Sequence, residues 1–407
     1  MPAEVDLTVY PDECDTFGHL NQAAFLSFFE RARWEMLARG PGMDVFTRHG
    51  TWPAVRKTTI DYHAPAFPGD VLRFQLALTH HGRTSFTMRQ TARRARDDKL
   101  IATAEFLFVC IDRQGRPTPV PAEVATSFAS GPLPPPDIRR ITVNGVTLAV
   151  DTRGEGPAVL FVHGYPLDRT LWEHQVVSLE GFQRIAPDLR GFGLSDAPDL
   201  GYSMTTYADD LAALLDTLHV DEAVLCGLSM GGYVVFEFLR RHRERVRGVI
   251  LMDTRAEADG PEGRRARDQQ AALARDQGAE AVAEQMLSKV LAPSTERSLA
   301  GRVKAIMTAA PVAGIVGALQ AMRDRPDSSL LLNTLGDIPT LVVVGEQDEV
   351  IPREQALALA EAIPGARFEV IEGAAHFPPL EQPSATTQVL REFLVGLKRK
   401  GNGSGTW

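Results

Sequence analysis

Beyond residue 138, short apolar runs alternate along the chain with stretches of helical periodicity, such as residues 211–218. The apolar runs read, in chain order, AVLFVHG, RIAPDLRG, EAVLCG, RGVILMDT, PTLVVVGEQD and RFEVIEG. Such alternation is typical of a mostly parallel sheet that carries helices on both faces. Between Asp253 and Pro339 the strand-like runs stop and helical stretches follow one another. This interruption predicts an inserted helical cap at about residues 255–335.

Residues 1–127 follow a different pattern, in which strands are grouped and one helix stands apart. Residues 21–40 form a long helical stretch with a very apolar side, and the helix is expected to end at Gly40-Pro41. A short strand, LTVY, precedes it, and four strand-like runs follow at residues 52–62, 71–79, 84–93 and 100–111. The pattern predicts an α+β domain with an antiparallel sheet around one long helix.

A segment rich in proline and glycine separates the two patterns. Residues 128–137 show no periodicity, which predicts a semi-rigid, extended linker. After it, Asn144-Gly145 lies between two alternating runs, which is the strongest short-range signal of a tight hairpin. We therefore place the second domain at residues 138–398 and expect the polar residues 399–407 to form a disordered tail.

Composition narrows the classes of function. The 407-residue chain has a formal net charge of −9, which argues against nucleic acid as a partner. Acidic and basic residues are equal in number in residues 1–127, so the negative excess lies in the rest of the chain. The chain has no apolar run of membrane-spanning length and no secretion signal, so we expect a cytoplasmic protein without membrane contact. Its three cysteines lack C-x-x-C spacing, and no P-loop or dinucleotide fingerprint is present. We therefore expect neither a metal nor a cofactor.

One serine, Ser229 in CGLSMGGY, lies between a strand-like run and a helical run. A strand-to-helix turn this tight strains the residue at its centre, so the neighbours two positions away must be small. Gly227 and Gly231 meet that requirement. The arrangement G-x-S-x-G exposes the hydroxyl and directs the following backbone N–H groups to the same point. We interpret Ser229 as a nucleophile.

A serine nucleophile needs a base, and the base needs an acid that holds its tautomer. Asp348 ends the run LVVVGEQD and His376 follows FEVIEGAA, which gives the chain order Ser, Asp, His. Asp253, at the end of VILMDT, is the alternative acid, although Asp348 is favoured. His163, in HGYP, is interpreted as a structural residue rather than a base.

Together these motifs resemble the α/β-hydrolase superfamily over residues 138–398. The resemblance implies an oxyanion hole made by the backbone N–H groups of Tyr165 and Met230, with His163 bracing the loop. The segments HGYPLDRTLWEHQ and DTRAEA are similar to those of small-molecule esterases and 3-oxoadipate-type enol-lactone hydrolases. A perhydrolase or a carbon–carbon bond hydrolase would use the same triad, so these remain alternatives. We expect acyl transfer from an ester or lactone.

The N-terminal segment VYPDECDTFGHLNQAAFLSFFERARWEM carries a second group of candidate residues. It resembles hotdog-fold acyl-CoA thioesterases of the 4-hydroxybenzoyl-CoA thioesterase type, as do YHAPAFPGD and CIDRQGRP. The resemblance implies that Asp15 attacks, or activates water against, a thioester at the start of the helix. His19 and Asn21 would shape the turn and contact substrate, and the helix start near Asn21 and Gln22 would supply oxyanion donors. Helix capping is the alternative role for Asp15.

This resemblance also implies at least a homodimer, because the sites of that family form between protomers. Coenzyme A, expected only as part of a thioester substrate, requires cations. The candidates in RQTARRARDDK are Arg89, Arg93, Arg94, Arg96 and Lys99, and a solvated hairpin is the alternative. The main hypothesis is a bifunctional hydrolase of thioesters and of esters or lactones. The alternative is a single hydrolase domain with a non-catalytic hotdog module for binding and dimerisation.

Overall fold

The structure is a computed structural model that describes residues 4–39, 44–121, 124 and 137–400. The chain divides into two compact units, Met1–Pro134 and Pro135–Trp407. Of the predicted linker, only residue 137 lies within the described residues, and the predicted tail is described only as far as residue 400. Each unit has a sheet and a hydrophobic core of its own.

The N-terminal unit is one antiparallel sheet with one long helix, as the sequence predicts. Its elements are β1 (Glu4–Thr8), α1 (Gln22–Arg39), β2 (Trp52–Tyr62), β3 (Val71–His81), β4 (Ser85–Arg94) and β5 (Lys99–Ile111). The strand order is β1-β3-β4-β5-β2, and every neighbouring pair is antiparallel. Strand β2 is therefore an edge strand, paired on one side with β5.

The core of this unit lies between α1 and the sheet. Phe25, Phe28 and Phe29 of α1 are buried, and the Phe29 ring meets the Phe74 ring of β3 edge-on at 5.3 Å between centroids. In β4, partly buried and fully buried residues alternate strictly, as expected for a strand with one face on the core. The apolar side of α1 that the sequence indicates is thus the side that packs on the sheet.

The C-terminal unit contains an eight-stranded sheet. Its strands are β6 (Ile138–Val143), β7 (Val146–Arg153), β8 (Ala158–Val162), β9 (Gln183–Pro187), β10 (Ala223–Leu228), β11 (Val246–Met252), β12 (Thr340–Gly345) and β13 (Arg367–Ile371). The order is β13-β12-β11-β10-β8-β9-β7-β6, and of these pairings only β6–β7 and β7–β9 are antiparallel. Asn144 and Gly145 both have positive φ, 46° and 79°, and form the turn of the β6–β7 hairpin. This confirms the predicted mostly parallel sheet.

Helices connect these strands and form the cap. They are α2 (Glu173–Ser178), α3 (Met204–Thr217), α4 (Met230–Arg241), α5 (Pro261–Val290), α6 (Arg297–Ala309), α7 (Val312–Arg323), α8 (Ser329–Leu332), α9 (Arg353–Glu361), α10 (Pro378–Glu381) and α11 (Pro383–Lys400). The cap comprises α5 to α8, between β11 and β12. Gly278, with φ 81°, breaks α5 into two helical parts. No single described helix is long and apolar enough to cross a bilayer. The pair α6 and α7, which meet at an angle of 91°, has the required length and composition only when the two helices are taken together.

The sheet brings the ends of distant chain segments to one edge. Strands β8, β10 and β12 are buried along their whole length, because parallel neighbours cover their edges and helices cover their faces. Since β8, β10, β11 and β12 run parallel, the residues that follow their carboxyl ends meet at the same edge of the sheet. The candidate catalytic residues of this unit follow these strand ends and that of β13.

Candidate active site

Ser229 lies at the turn between β10 and α4 with φ 53° and ψ −114°. Such angles are rare for a residue with a side chain and mark a strained turn. The turn needs glycine on both sides, since a Cβ on Gly227 would lie 2.5 Å from the carbonyl carbon of Gly231. A Cβ on Gly231 would collide with the carbonyl oxygen of Val162 in β8. The two glycines thus let the elbow pack directly against the neighbouring strand.

His376 and Asp348 form a buried pair. Nδ1 of His376 lies 2.7 Å from Oδ2 of Asp348, and the two residues are 3% and 6% exposed. The other carboxylate oxygen, Oδ1 of Asp348, accepts the N–H groups of Val350 and Ile351 at 2.7 and 3.1 Å. Burial opposes ionisation of Asp348, but His376, together with hydrogen bonds from Asp253 and the N–H of Ile351, outweighs it and lowers the pKa of Asp348. An ionised Asp348 holds the proton of His376 on Nδ1 and leaves Nε2 free to act as the base.

Asp253, the alternative acid, lies beside this pair. Oδ1 of Asp253 accepts the N–H of Gly345 at 2.8 Å, and the residue is fully buried. Burial, followed by the negative charge of Asp348, raises the pKa of Asp253 well above its usual range. Oδ2 of an ionised Asp253 has no donor, whereas a protonated Asp253 shares a hydrogen bond with Asp348. The hydrogen bond to His376 therefore belongs to Asp348, and the raised pKa of Asp253 favours its neutral acid form.

The same three side chains are the only group in the described part of the chain whose spacing could suit a metal ion. Their ligand atoms lie within 4.8 Å of one another. However, Nδ1 of His376 and Oδ2 of Asp348 are already bonded to each other, and a neutral Asp253 is a poor ligand. The cluster fits a proton network better than a metal centre.

The loop after β8 packs against the nucleophile. A Cβ on Gly164 would lie 3.3 Å from Cβ of Ser229, so this loop passes directly over the elbow. The His163 ring is fully buried, with Nδ1 2.9 Å from the carbonyl oxygen of Gly164 and Nε2 accepting the N–H of Leu189 at 3.0 Å. Burial lowers the pKa of His163 to about 4, so the ring is neutral near pH 7. His163 therefore joins two loops as a neutral donor and acceptor.

The candidate oxyanion donors belong to the two segments that border Ser229. Met230 is the first residue of α4, so its N–H has no acceptor within the helix. Tyr165 follows the tightly packed Gly164, and the residue is 4% exposed. The start of α4 also favours negative charge, because the helix dipole points its positive end at the elbow.

In the N-terminal unit, Asp15 stabilises a turn before the helix. Its Oδ1 accepts the N–H groups of Phe17 and His19 at 2.9 and 3.2 Å, and its own N–H donates to the carbonyl of His19 at 2.8 Å. His19 is exposed, and its ring meets that of Phe67 edge-on at 5.3 Å. Asp15 and His19 are therefore held together in one turn that lies just before the start of α1 at Gln22.

Asn21, rather than Asp15, caps α1. Its Oδ1 accepts the N–H of Ala23 at 2.8 Å, and its own N–H donates to the carbonyl of Glu13 at 2.9 Å. The expectation that the N–H of Asn21 serves as an oxyanion donor needs correction, because that group is already bonded. The N–H groups of Gln22 and Ala24 remain as candidate donors at the helix start.

The candidate coenzyme A residues lie on the β4–β5 hairpin, and their arginines form ion pairs with carboxylates. Arg89 pairs with Glu105 at 2.5 Å, Arg93 with Asp98 at 3.4 Å, Arg94 with Asp97 at 2.7 Å and Arg96 with Asp70 at 3.2 Å. Lys99 donates its backbone N–H to Asp97 at 3.3 Å. The positive charge of the hairpin is compensated locally, which favours the alternative of a solvated surface.

The comparisons with known proteins divide the chain in the same way. Residues 157–383, more than half of the chain, match the model of the alpha/beta hydrolase fold. The chain belongs to the alpha/beta hydrolase fold family. Residues 9–128 match the thioesterase-like superfamily. The C-terminal domain is therefore a hydrolase domain, and the N-terminal domain is thioesterase-like.

Relatives of the hydrolase domain include esterases and a lactonase. An esterase of Thermogutta terrifontis, solved with malate bound, is 41% identical, covers 64% of this chain and 97% of its own, and has a TM-score of 0.61. The enol-lactonase of Burkholderia xenovorans is 28% identical, covers 63% and 100%, and has a TM-score of 0.59. The AB hydrolase superfamily protein YisY of Bacillus subtilis is 29% identical over 62% of this chain and 97% of its own length.

Proposed function

We propose that the C-terminal domain hydrolyses carboxylic esters or lactones with Ser229, His376 and Asp348 as its catalytic triad. The observation that carries this proposal is the buried bond between His376 and Asp348, formed at the strand edge where the Ser229 elbow lies. The likeness to an esterase and an enol-lactonase supports the same reaction class. The experiment is to follow acid release from aryl esters and lactones by the full chain.

The proposed reaction proceeds in two acyl-transfer steps. Nε2 of His376 takes the proton of Ser229 as Oγ attacks the carbonyl carbon, and the N–H groups of Tyr165 and Met230 stabilise the oxyanion. His376 then gives that proton to the leaving alkoxide, and the alcohol departs from an acyl-serine. In the second step His376 takes a proton from water, whose oxygen attacks the acyl carbon. Release of the carboxylic acid returns the proton to Ser229.

For the N-terminal domain we propose hydrolysis of acyl-CoA thioesters, with Asp15 activating water against the thioester carbonyl. The match to the thioesterase-like superfamily supports this reaction, and the N–H groups of Gln22 and Ala24 would face the developing oxyanion. The thiol of coenzyme A and the free acid are the products. The main proposal is thus a bifunctional hydrolase with one site in each domain.

One observation favours the alternative, in which the N-terminal domain only binds and dimerises. Strand β2 has eleven residues and pairs with β5 on one side, and no strand among the described residues pairs with its other edge. Val55 and Tyr62 on this strand are 51% and 42% exposed. A second copy of the chain could pair along this edge, and a homodimer is proposed under both functions.

Asp15→Asn distinguishes the two functions. An amide keeps the oxygen that accepts the N–H groups of Phe17 and His19, so the turn is preserved while the charge is lost. If Asp15 is the base, thiol release from acyl-CoA should fall at least about 100-fold, the usual scale of general-base catalysis. Asp12→Asn, at an exposed position three residues earlier, is the matched control and should retain full turnover. Unchanged turnover in Asp15→Asn would support the binding and dimerisation module.

A further inference from the structure

The carboxylate of Glu381 holds the backbone on both sides of the proposed base. Glu381 is the last residue of α10, which follows the loop that carries His376. We refer to this loop, residues 372–377 between β13 and α10, as the histidine loop. Oε2 of Glu381 accepts the N–H groups of Ala375 and Phe377 at 3.0 and 3.2 Å. Because these two residues flank His376, one carboxylate oxygen fixes the peptide groups on either side of it.

The other oxygen of Glu381 reaches the cap. Oε1 accepts the N–H of Ala292 at 2.7 Å and the hydroxyl of Thr295 at 2.8 Å. Both residues lie in the turn between α5 and α6, where the N–H of Thr295 also donates to the carbonyl of Ala292 at 2.9 Å. Glu381 therefore bridges the histidine loop and the cap.

The end of α5 supplies a second link to the same loop. The N–H of His376 donates to the carbonyl of Val290 at 3.2 Å. Val290 is the last residue of α5, and a carbonyl at a helix end has no N–H partner within its own helix. Three consecutive N–H groups, those of residues 375–377, thus donate to Glu381 or to the end of α5.

The histidine loop is attached to the sheet without Glu381. The N–H of Gln347 donates to the carbonyl of Ala374 at 2.8 Å, just after β12. A Cβ on Gly345 would collide with the carbonyl oxygen of Ala375, so the loop also packs directly on the end of this strand. The contribution specific to Glu381 is therefore the connection between the cap and the peptide groups around His376.

Four donors at this position require a carboxylate. The two oxygens of a carboxylate offer about four lone-pair positions, and the four donors on Glu381 can occupy all of them. A glutamine amide accepts at one oxygen only, and its NH₂ group would face two donors. Since an unsatisfied buried donor is costly, a glutamine would give up either the cap side or the histidine side of the bridge.

We propose that Glu381 is a positioning residue through which the cap holds His376 in the orientation that attack by Ser229 requires. Asp348 binds only Nδ1 of the ring, so the direction of Nε2 also depends on the backbone that carries the ring. A misplacement of about 1 Å in a reacting group can cost roughly 100-fold in rate. The inference rests on the proposed ester or lactone hydrolysis, to which it adds a dependence of the base on the cap.

The first test is Glu381→Gln, measured by kcat and KM for an aryl ester in the full chain. The variant should lower kcat at least about tenfold, as loss of a charged hydrogen bond does. KM should stay close to that of the wild type, because Glu381 acts on the alignment of the base rather than on substrate binding. Glu372→Gln, at an exposed position in the histidine loop, is the matched control and should retain full kcat.

The second test removes one bond on the cap side and leaves Glu381 and the histidine loop intact. Thr295→Val should lower kcat about threefold, the scale of one hydrogen bond, and Ser294→Ala, at the neighbouring exposed position, should not. A loss in Glu381→Gln with none in Thr295→Val would overturn the link to the cap. An unchanged kcat in both variants, with a lower Tm in Glu381→Gln, would overturn the inference, because Glu381 would then only stabilise the fold.

The proton on Nδ1 of His376 gives a readout that needs no ester. Its hydrogen bond to Asp348 should shift its NMR resonance downfield, and loss of the resonance in His376→Gln would assign it. Glu381→Gln should weaken this resonance, and Glu372→Gln should not. If the chain hydrolysed no ester or lactone but the resonance still depended on Glu381, the positioning role would stand and the proposed reaction would fall. If hydrolysis occurred and neither kcat nor the resonance changed in Glu381→Gln, the positioning role would be wrong and the reaction would stand.

Discussion

Ser229→Ala is expected to lower kcat for ester or lactone hydrolysis by at least about 10⁴-fold. In the proposed reaction Ser229 forms the acyl intermediate, and the oxyanion donors alone retain only a small part of the rate. Thiol release from acyl-CoA should be unchanged, because Asp15 belongs to the other compact unit. The measurement is the rate of acid release under saturating ester, with thiol release followed in parallel.

Alanine fits the position of Ser229 because it adds no atoms, so the strained elbow is preserved. Ser294→Ala removes a serine at an exposed position in the cap. It controls for the loss of a serine hydroxyl outside the proposed site and should retain full activity. Ester hydrolysis at a similar rate in Ser229→Ala would assign the nucleophile to another residue. Loss of thiol release together with ester hydrolysis would contradict two independent sites.

Asp348→Asn and Asp253→Asn should differ by orders of magnitude. Asp348 accepts the proton-bearing Nδ1 of His376, and an amide there favours the wrong tautomer, so kcat should fall about 10⁴-fold. Asp253 is a neutral acid, and an amide can replace it: the oxygen still accepts the N–H of Gly345 and the NH₂ group donates to Asp348. We expect Asp253→Asn to stay within about tenfold of the wild type.

Asp253→Ala tests whether the hydrogen bonds of Asp253, which Asp253→Asn preserves, are needed. Removal of the carboxyl group leaves the Gly345 N–H and one oxygen of Asp348 without their partner in a buried site. This variant should lose more activity and more stability than Asp253→Asn, as measured by kcat and Tm. A larger loss in Asp253→Asn than in Asp348→Asn would identify Asp253 as the triad acid.

The elements that carry local sequence signals were predictable. Strands β8, β10 and β12 are continuous apolar runs because both of their faces are covered, and the β6–β7 hairpin follows from Asn144-Gly145. The elbow could be identified because its backbone leaves no room for a Cβ at Gly227 or Gly231. In each of these cases burial or backbone geometry restricts residues that are close together in the sequence, so a local sequence pattern is enough to predict the element.

Features formed by distant residues were not accessible in this way. Arg255, Arg267 and Arg325 come from three segments, and a charged residue on a helix usually indicates a face toward solvent, so their convergence on Asp259 leaves no local signal. The capping of α1 by Asn21 and the separate turn at Asp15 also depend on which backbone groups each side chain meets. An Asp-x-x-x-His-x-Asn spacing is compatible with either residue as the cap.

The four paired arginines of the β4–β5 hairpin show the same limitation. Arg89 pairs across the hairpin with Glu105, and Arg96 pairs with Asp70, the residue before β3. The run RQTARRARDDK by itself indicates a positive patch, because the acidic partners that neutralise it are not all part of the run. Partners from neighbouring strands are set by register, which a single sequence does not specify.

The central claim, that Ser229 is an activated nucleophile, is tested most directly by covalent labelling. A fluorophosphonate reacts with a serine only when a neighbouring base removes the proton of its hydroxyl. We predict one phosphonyl group per chain, located by peptide mass spectrometry on Ser229, and its loss in Ser229→Ala. Absence of the label from the wild type, or a label on another residue, would contradict the account.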